Sequence, residues 1–457
     1  MTELIDGLVA IVGTEAVSAG DAVHEDDTHD ECLTVEAVRP LAVIRPTETA
    51  QVAAVLQLAA ELGVPVTARG SGTGLSGAAT PLPDGIVICF DEMDQILEID
   101  TENHLAVVQP GVRLVDLDQV LRPLGLVYPV YPGEYSASIG GNVATNAGGM
   151  RAVKYGVTRH QVLGLEVVLP SGEIMRTGGR IVKSTTGYDL TQLIVGSEGT
   201  LALVTEVIIK LYPRPEHQAT VLAPFSTLDE ITAAVPRIID SGIGPLVLEY
   251  IDLLTMSATA SYSGLELGIP QEIKDTALAY LVVVLENAHE NRLEDDLGAV
   301  AEQLAELGAL DVFVLPPAAA GDLISAREQA FWMAKANGAD DIVDVVVPRA
   351  QIPVFMKRVS ELATEYDAWI AGCGHAGDGN VHLGVFCADD ERRSRLMQEL
   401  FASGMELGGT ISAEHGIGGA KKEYFLQLED PAKIALMRRI KQAFDPAGIL
   451  NPGTIFD

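Results

Sequence analysis

Two closely spaced prolines divide this chain into two blocks of alternating strands and helices. They lie in Tyr212-Pro213-Arg214-Pro215, and a proline interrupts both a strand ladder and a helix. At 457 residues the chain is also too long for one ordinary domain. We therefore predict a leader at 1–36, a domain at 37–215, a second domain at 216–409 and a closing segment at 410–457.

The two blocks differ in the order of their elements. In the first, a helix is predicted over Thr49–Leu62, because its apolar residues form one stripe at helical spacing. The second block has predicted strands at Thr220–Ala223, Leu246–Ile251, Tyr280–Glu286 and Leu310–Leu315, and helices at Leu228–Ile239, Arg292–Leu307 and Asp322–Ala336. This order is typical of an α+β cap, in which helices pack on an antiparallel sheet.

The acidic balance of the chain excludes several classes of partner. Its formal net charge is −34, so binding to nucleic acid, or to an anionic membrane through a basic patch, is not expected. The N-terminal residues carry no secretory signal, and no apolar run is long enough to form a transmembrane segment. The four cysteines, Cys32, Cys89, Cys373 and Cys387, are scattered, which is typical of reduced thiols. We expect a cytoplasmic protein, and leave open a location at the membrane periphery.

Three of the nine histidines lie in two short glycine-rich segments, Gly374–His382 and Glu414-His415-Gly416. Imidazoles together with a carboxylate are ligands for a divalent metal such as zinc. Residues 381–386 alternate like a strand, which predicts Val381 on one face and His382 on the other. From spacing alone, a metal site and a pair of loops whose histidines bond to backbone are equally good interpretations.

Glycine also dominates three segments of the first block. The loop Arg69–Gly77 follows a predicted strand and could cradle a pyrophosphate on consecutive amides, but it matches neither a P-loop nor the dinucleotide fingerprint. By itself it is better explained as a surface turn. Ser138–Gly149, with Pro132-Gly133 before it, and Gly196–Leu201 have the same small-residue character, which lets a large flat ligand lie against backbone.

In this order, these blocks resemble the FAD-binding domain of the vanillyl-alcohol-oxidase (PCMH-type) flavoprotein superfamily. With Gly374–His382, the Glu414 segment and Asn451-Pro452-Gly453, the chain is similar to its D-2-hydroxy acid dehydrogenase branch, which includes D-lactate dehydrogenase and the glycolate oxidase flavin subunit. The resemblance implies an α+β protein. Its parts would be a PCMH-type FAD-binding domain of two α/β subdomains and a substrate (cap) domain of antiparallel sheet and helices.

The resemblance implies FAD as cofactor, bound non-covalently, because the matching segments hold no histidine or cysteine to tether it. The residues that match the cofactor-binding positions are Arg69, Gly70, Ser71, Gly72, Thr73, Gly74, Ser76, Gly77, Pro132, Gly133, Ser138, Gly141, Asn142, Thr145, Asn146, Gly148, Gly149, Gly156, Glu198, Gly199, Val204 and Asn451.

The resemblance also assigns the chemistry. It implies a divalent metal, often zinc, on His375, His382 and Glu414, and a catalytic base at His415. Arg327 matches the arginine that binds the substrate carboxylate. Lys335 is a second predicted cation, and Asn380 a further predicted substrate contact. The implied reaction is oxidation of a small anionic D-2-hydroxy acid to the 2-oxo acid, with hydride transfer to flavin N5.

Two positions depart from the hydroxyglutarate enzymes of this branch. Gly384 and Phe331 stand where those enzymes carry asparagine and threonine, so a second carboxylate on the substrate would have fewer partners. With Trp332, this favours lactate or a larger apolar side chain. A D-2-hydroxyglutarate dehydrogenase, an alcohol or phenol oxidase using oxygen, and a non-enzymatic flavoprotein subunit are the alternatives.

Electrons are expected to leave to a separate acceptor, since no cysteine-rich electron-transfer module is recognised in the sequence. A quinone, a cytochrome, an electron-transfer protein or oxygen would each serve. The oligomeric state is left open, although a homodimer is the commonest form of self-assembly.

Overall fold

Two units make up the fold. The computed structural model describes residues 2–456, apart from the side chains of Tyr262 and Ser263. The first unit comprises Met1–Ala147, Val157–Pro213 and Glu414–Asp457, and the second comprises Gly148–Gly156 and Arg214–Ala413. The predicted domain limits at 215 and 409 lie near the points where the chain passes from one unit to the other, after Pro213 and after Ala413. The division into domains stays a prediction.

The helices and strands are numbered in chain order. The helices are α1 Thr2–Val12, α2 Thr49–Leu62, α3 Leu114–Leu121, α4 Ile139–Thr145, α5 Ala152–Tyr155, α6 Thr158–Gln161, α7 Leu190–Ile194, α8 Leu228–Asp240, α9 Leu253–Ser263, α10 Gln271–Lys274, α11 Glu290–Glu306, α12 Pro317–Glu328, α13 Ala330–Ala336, α14 Ile352–Glu365, α15 Asp390–Glu406, α16 Lys422–Leu428 and α17 Pro431–Phe444. The strands are β1 Val17–Ala19, β2 Ala42–Ile44, β3 Val66–Arg69, β4 Ile86–Cys89, β5 Ile96–Asp100, β6 Leu105–Val108, β7 Leu126–Val127, β8 Val162–Val168, β9 Ile174–Gly178, β10 Leu203–Lys210, β11 Tyr212–Pro213, β12 His217–Phe225, β13 Val247–Asp252, β14 Ala279–Asn287, β15 Phe313–Leu315, β16 Asp341–Val346, β17 Trp369–His375 and β18 Asn380–Phe386.

The first sheet of the first unit has the strand order β1-β2-β4-β3. Strand β4 pairs in parallel with β2 and β3, whereas β1 pairs antiparallel with β2. Helix α2 has the predicted bounds, and its apolar stripe packs into the core that this sheet forms. It ends at Gly63, whose φ of 65° is the left-handed conformation that glycine adopts without strain.

Part of the predicted leader is built into this sheet and its core. Helix α1 buries Leu4 and Leu8 in the core that α2 also enters, and β1 forms an edge strand. No strand was predicted there, because three residues are too few to show alternation.

The second sheet of the first unit is antiparallel, with the order β5-β6-β10-β8-β9. Leu117 of α3 and Val143 of α4 share a buried core with Val108 and Val207 of the central strands. This packing positions α4, which carries the second glycine-rich segment.

The second unit is built on seven strands in the order β15-β12-β14-β13-β17-β18-β16. Every neighbouring pair is antiparallel. Helices such as α8 and α11 pack on this sheet and bury their apolar stripes. The predicted α+β class, with helices on an antiparallel sheet in the second block, is confirmed.

The helix predicted over Asp322–Ala336 is wrong in two respects, of which the first is its start, since the helix begins at Pro317. The structure has two helices there, α12 and α13, which meet at Gln329. Gln329 has φ −84° and ψ 7°, outside the regular helix. Buried residues continue across the break, at Leu323 and Met333, so periodicity alone could not mark it.

The two 17-residue helices, α11 and α15, are the longest in the described chain, and both carry many charged residues. Within residues 2–456, no helix is long and apolar enough to cross a membrane.

Candidate active site

A cleft in the first unit is walled by the three glycine-rich segments of the first block. The lining residues fall within 70–79, 137–147 and 197–204, with Glu414 and His415 among the others. Among the described residues of this wall there is no lysine or arginine. An anionic group bound here would therefore be met by backbone N–H groups, which successive turn residues present as a concavity.

Two of these segments approach each other closely enough to require glycine. A Cβ built on Gly70 would lie 2.3 Å from Ser138 Oγ, and one built on Gly140 would lie 2.5 Å from Pro110 Cβ. Ser138 N also donates a hydrogen bond of 3.1 Å to Ser71 Oγ. Any larger residue at Gly70 or Gly140 would push the walls of the cleft apart.

Asn142 presents a buried amide to the cleft. Its side chain is 4% exposed, and the Nδ2 group has no hydrogen-bond partner among the described residues. A buried donor left unpaired costs about 1–3 kcal/mol, which a ligand acceptor would recover. This donor, the glycine walls and the backbone N–H groups fit a large flat ligand with a pyrophosphate, as FAD is.

The structure brings most of the predicted cofactor residues into the wall of this cleft. Those that line it are Gly70, Ser71, Gly72, Thr73, Gly74, Ser76, Pro132, Ser138, Gly141, Asn142, Thr145, Glu198, Gly199 and Val204. Arg69, Gly77, Gly133, Asn146 and Asn451 lie in the same unit but outside this lining, and Gly148, Gly149 and Gly156 lie in the second unit.

Arg69 and Asn451 have contacts that explain their places. The Arg69 guanidinium donates to the carbonyl of Asp26 at 2.6 Å, so it fastens the N-terminal segment to the loop. Asn451 Nδ2 donates to the carbonyls of Ala78 and Glu198 at 2.8 Å each, and so ties the first and third glycine-rich segments together.

Asp30 lines the cleft although it falls in the predicted leader. Its carboxylate accepts a hydrogen bond from Cys32 N at 3.1 Å and lies 3.4 Å from Ala79 N, and burial raises its pKa. One acid in an acidic segment carries no pattern that would single it out, and sequence reasoning missed it.

Glu198 holds the loop that carries Glu414 and His415. It is buried, with φ 51°, and its two carboxylate oxygens accept hydrogen bonds from Ile417 N at 2.9 Å and Gly418 N at 2.7 Å. Burial raises the pKa of Glu198 to about 7, although the two amides act in the opposite direction. Ser76 Oγ adds a hydrogen bond to the carbonyl of His415 at 2.9 Å. Glu414 and His415 lie in a bend and not in a helix.

In the second unit, β17 and β18 form a tight hairpin. Strand β17 ends at His375, and β18 begins at Asn380. Gly379, with φ 95°, must be glycine, because a Cβ there would lie 2.0 Å from the carbonyl oxygen of Val347. Val381, Leu383 and Val385 are buried on one face, as predicted, and His382 lies on the other. The rings of His375 and His382 meet edge to face, 4.8 Å between centroids.

His375 has a buried carboxylate beside it. Glu249, 1% exposed, contacts His375 Nδ1 with one oxygen and lies 2.8 Å from the Arg327 guanidinium with the other. Burial alone would raise the pKa of Glu249, but the charges of His375 and Arg327 outweigh it and hold that pKa below its ordinary value.

His382 also lies beside a buried carboxylate. Asp344, fully buried, lies directly opposite His382 in the β16–β18 ladder, with Oδ1 3.6 Å from His382 Nδ1. It also accepts hydrogen bonds from Asn380 Nδ2 (3.0 Å), Ser412 Oγ (2.8 Å) and Ala413 N (3.1 Å). The predicted substrate residue Asn380 is thus bonded to Asp344. Sequence reasoning missed both acids, since their pairing depends on strand register.

The predicted cation Lys335 lies over two aromatic rings of α13. Its Nζ is 5.5 Å from the centre of the Trp332 ring and 6.0 Å from that of Phe331. The two rings meet edge to face at 5.1 Å. A Cβ built on Gly384 would lie 3.5 Å from both Ala334 Cβ and the Phe386 ring, so α13 packs beside this glycine.

Comparison with known proteins places this fold and cleft in a family. Residues 214–455 match FAD linked oxidases, C-terminal domain, and residues 40–178 match the FAD binding domain. The chain belongs to the FAD-linked oxidases. An uncharacterized FAD-linked oxidoreductase of Mycobacterium tuberculosis (strain ATCC 25618 / H37Rv) is 59% identical over 456 residues, which cover 100% of this chain and 99% of the relative. A D-lactate dehydrogenase of Anaerostipes hadrus is 38% identical over 457 residues, which cover 97% and 95%.

A solved structure of p-cresol methylhydroxylase with substrate bound has the same fold. The TM-score is 0.81 at 19% identity, and the match covers 100% of this chain and 97% of that one. The predicted PCMH-type fold is confirmed. This FAD-linked oxidase is an oxidoreductase with FAD as its cofactor, whereas the non-covalent attachment stays a prediction.

Replacing Asn142 by alanine is expected to weaken FAD binding about five- to tenfold, because one buried hydrogen bond to the cofactor is lost. Titration of the FAD-free protein with FAD, followed by quenching of flavin fluorescence, measures this affinity. Asn103→Ala is the matched control, since Asn103 is exposed and bonds only to Asp100 in the same turn. An affinity of Asn142→Ala within twofold of the parent would show that Asn142 does not contact FAD.

Glu198 is expected to make stability fall with rising pH. A carboxyl with an ordinary unfolded pKa and a folded pKa of about 7 binds its proton more tightly in the folded state. As the pH rises from about 4.5 to 7, the free energy of unfolding of the parent should therefore fall by up to about 3 kcal/mol relative to that of Glu198→Gln. Above pH 7 this difference should not grow further. Urea unfolding of both proteins from pH 4.5 to 8 measures the difference. A constant difference across this range would contradict the assignment.

Proposed function

We propose that this FAD-linked oxidase converts a D-2-hydroxy acid to the 2-oxo acid. The observation that carries the proposal is the arrangement in the second unit. Two imidazoles 4.8 Å apart, His375 and His382, each face a buried carboxylate, and the guanidinium of Arg327 shares one of those carboxylates. An alcohol or phenol oxidase of this superfamily needs no such set, and it is the alternative that the arrangement disfavours.

We propose that His375 and His382 help to hold a divalent metal, with zinc as the ion. An ionised carboxylate accepts hydrogen bonds only, so Nδ1–H of His375 points to Glu249, and Nε2 is the nitrogen that we propose as the metal ligand. Glu414, the third proposed ligand, follows directly after Ala413, whose amide donates to Asp344 beside His382. When bound, such a metal lowers the pKa of a coordinated hydroxyl.

Arg327 is the proposed partner of the substrate carboxylate. Its planar guanidinium can form two parallel hydrogen bonds to a carboxylate, and burial excludes water that would weaken them. Glu249 already orients it from one side. With its carboxylate anchored at Arg327, the substrate could present the C2 hydrogen to the flavin in few orientations, and this supports a preference for one enantiomer.

His415 is the proposed base for the substrate hydroxyl. Imidazole can take up a proton near neutral pH, and the loop that carries it is fixed by Glu198 and Ser76. Bound FAD would supply the acceptor for the hydride from C2. We propose that the electrons then leave to a separate acceptor.

The aromatic cluster of α13 supports a substrate with a small or apolar side chain. Phe331 and Trp332 offer ring surface, and Lys335, the second proposed cation, lies against them. Gly384 brings no polar group to the neighbourhood of α13. D-Lactate and longer aliphatic or aryl D-2-hydroxy acids are therefore the proposed substrates.

The reaction is tested with a panel of D- and L-2-hydroxy acids and an artificial electron acceptor. We expect turnover of D-lactate or a more apolar D-acid, little turnover of the L-enantiomers, and loss of activity after treatment with EDTA that added zinc restores. Full activity in metal-free protein would overturn the metal assignment, and the absence of turnover with every D-acid would overturn the proposed reaction.

His415→Ala is expected to lower turnover by a factor of about 10²–10⁴ with FAD still bound, as removal of a general base does. Stopped-flow reduction of the flavin by substrate measures the step, and the flavin absorbance of the purified protein measures occupancy. His289→Ala, at an exposed histidine before α11, is the matched control. Loss of FAD from the His415 variant would instead show a structural role.

A further inference from the structure

The buried acid Glu249 contacts both His375, a proposed metal ligand, and Arg327, the proposed partner of the substrate carboxylate. Glu249 lies on β13, which pairs with β17 through Tyr250 opposite Gly374 and Ile251 opposite Cys373. Continuing this antiparallel register by one residue places Glu249 opposite His375. The sheet itself therefore sets the contact between them.

The other oxygen of Glu249 faces α12. Arg327, in the last turn of that helix, is 8% exposed and places Nη2 2.8 Å from Glu249 Oε2. A carboxylate this deeply buried is stable only when its charge is balanced by close partners. Within the described residues, the hydrogen-bond and ion-pair partners of Glu249 are these two side chains.

Asp252, three residues further along β13, shows what a structural acid looks like in the same strand. Its carboxylate accepts hydrogen bonds from Thr255 N and Gly372 N, and so caps α9 and fixes the strand beside it. Glu249 holds side chains instead of backbone. Those side chains are the proposed metal ligand and the proposed substrate cation.

We propose that Glu249 is a positioning residue that couples the two halves of the substrate site. It holds His375 with Nδ1–H towards itself, so that Nε2 is presented to a metal, and through an ion pair of 2.8 Å its charge holds the Arg327 guanidinium near the place proposed for the substrate carboxylate. The inference rests on the proposed function, and it assigns to one side chain both the metal affinity and the binding of the substrate's anionic end.

The two effects should be lost together. A neutral residue in place of Glu249 removes the charge that raises the basicity of the His375 ligand, and loss of a carboxylate behind a histidine ligand typically weakens metal binding 10- to 100-fold. The same change removes the ion pair between Glu249 and Arg327, and with it one constraint on the position of the guanidinium. The FAD cleft lies in the first unit, so FAD content should not change.

The test compares Glu249→Gln, Glu249→Asp and the control Asp252→Asn in the FAD-loaded protein. Zinc affinity is measured by competition with a chromophoric chelator, KM and kcat with the best D-2-hydroxy acid, and FAD content by absorbance. We expect Glu249→Gln to bind zinc 10- to 100-fold more weakly and to raise KM at least tenfold. Asp252→Asn should leave the zinc affinity and the KM within twofold of the parent's values.

Glu249→Asp keeps the charge but is one methylene shorter, so it cannot reach both partners at once. It should retain either the zinc affinity or the KM of the parent and lose the other. If Glu249→Gln does not fold, this variant decides, and parental values for both quantities would overturn the proposal.

Two outcomes separate this inference from the proposed function. If the parent binds zinc and oxidises a D-2-hydroxy acid while Glu249→Gln keeps both values within twofold, the role of Glu249 fails alone. If the parent neither binds zinc nor oxidises any D-2-hydroxy acid, the proposed function fails and the role of Glu249 fails with it.

Discussion

A carboxylate that is removed from water must find donors, and this constraint shapes the functional parts of the fold. The chain carries a net charge of −34, yet it buries several of its acids. Glu198 is matched by two backbone amides, Asp344 by a serine, an asparagine and an amide, and Glu249 by a histidine and an arginine. Glu198 and Asp344 thereby fix segments of backbone, and Glu249 fixes two side chains.

The three acids fix different kinds of partner. Glu198 immobilises a loop backbone and so determines where His415 can be. Asp344 joins β16, β18 and the segment that leads to Glu414. Glu249 orients side chains only. Rigid placement of a catalytic group requires support of this type, since a displacement of about 1 Å can cost two orders of magnitude in rate.

Much of the fold could be predicted because local patterns were strong. The apolar stripe of α2 and the alternation in β18 each reported directly which face is buried. The break between α12 and α13 could not be seen, since buried residues recur at helical spacing on both sides of Gln329. The edge strand β1 is too short to have a period.

The candidate site was predictable to the extent that it lies in contiguous motifs. The glycine segments and the histidine hairpin are local in sequence, and the structure shows the expected cleft and hairpin. Glu249 and Asp344 are not local, because each meets its histidine across a strand pair whose register no motif encodes. Asp30 and Glu198 likewise act on segments far away in the chain.

The absence of lysine and arginine from the described wall of the FAD cleft has a consequence for how this protein can vary. Donors that belong to the main chain are present whichever side chain a position carries, so most substitutions in the wall leave them in place. The cofactor site is therefore tolerant of drift in charge, including the drift towards a strongly acidic surface. Its points of vulnerability are Asn142, whose donor belongs to a side chain, and positions such as Gly70 and Gly140, where an added carbon atom would separate the walls themselves.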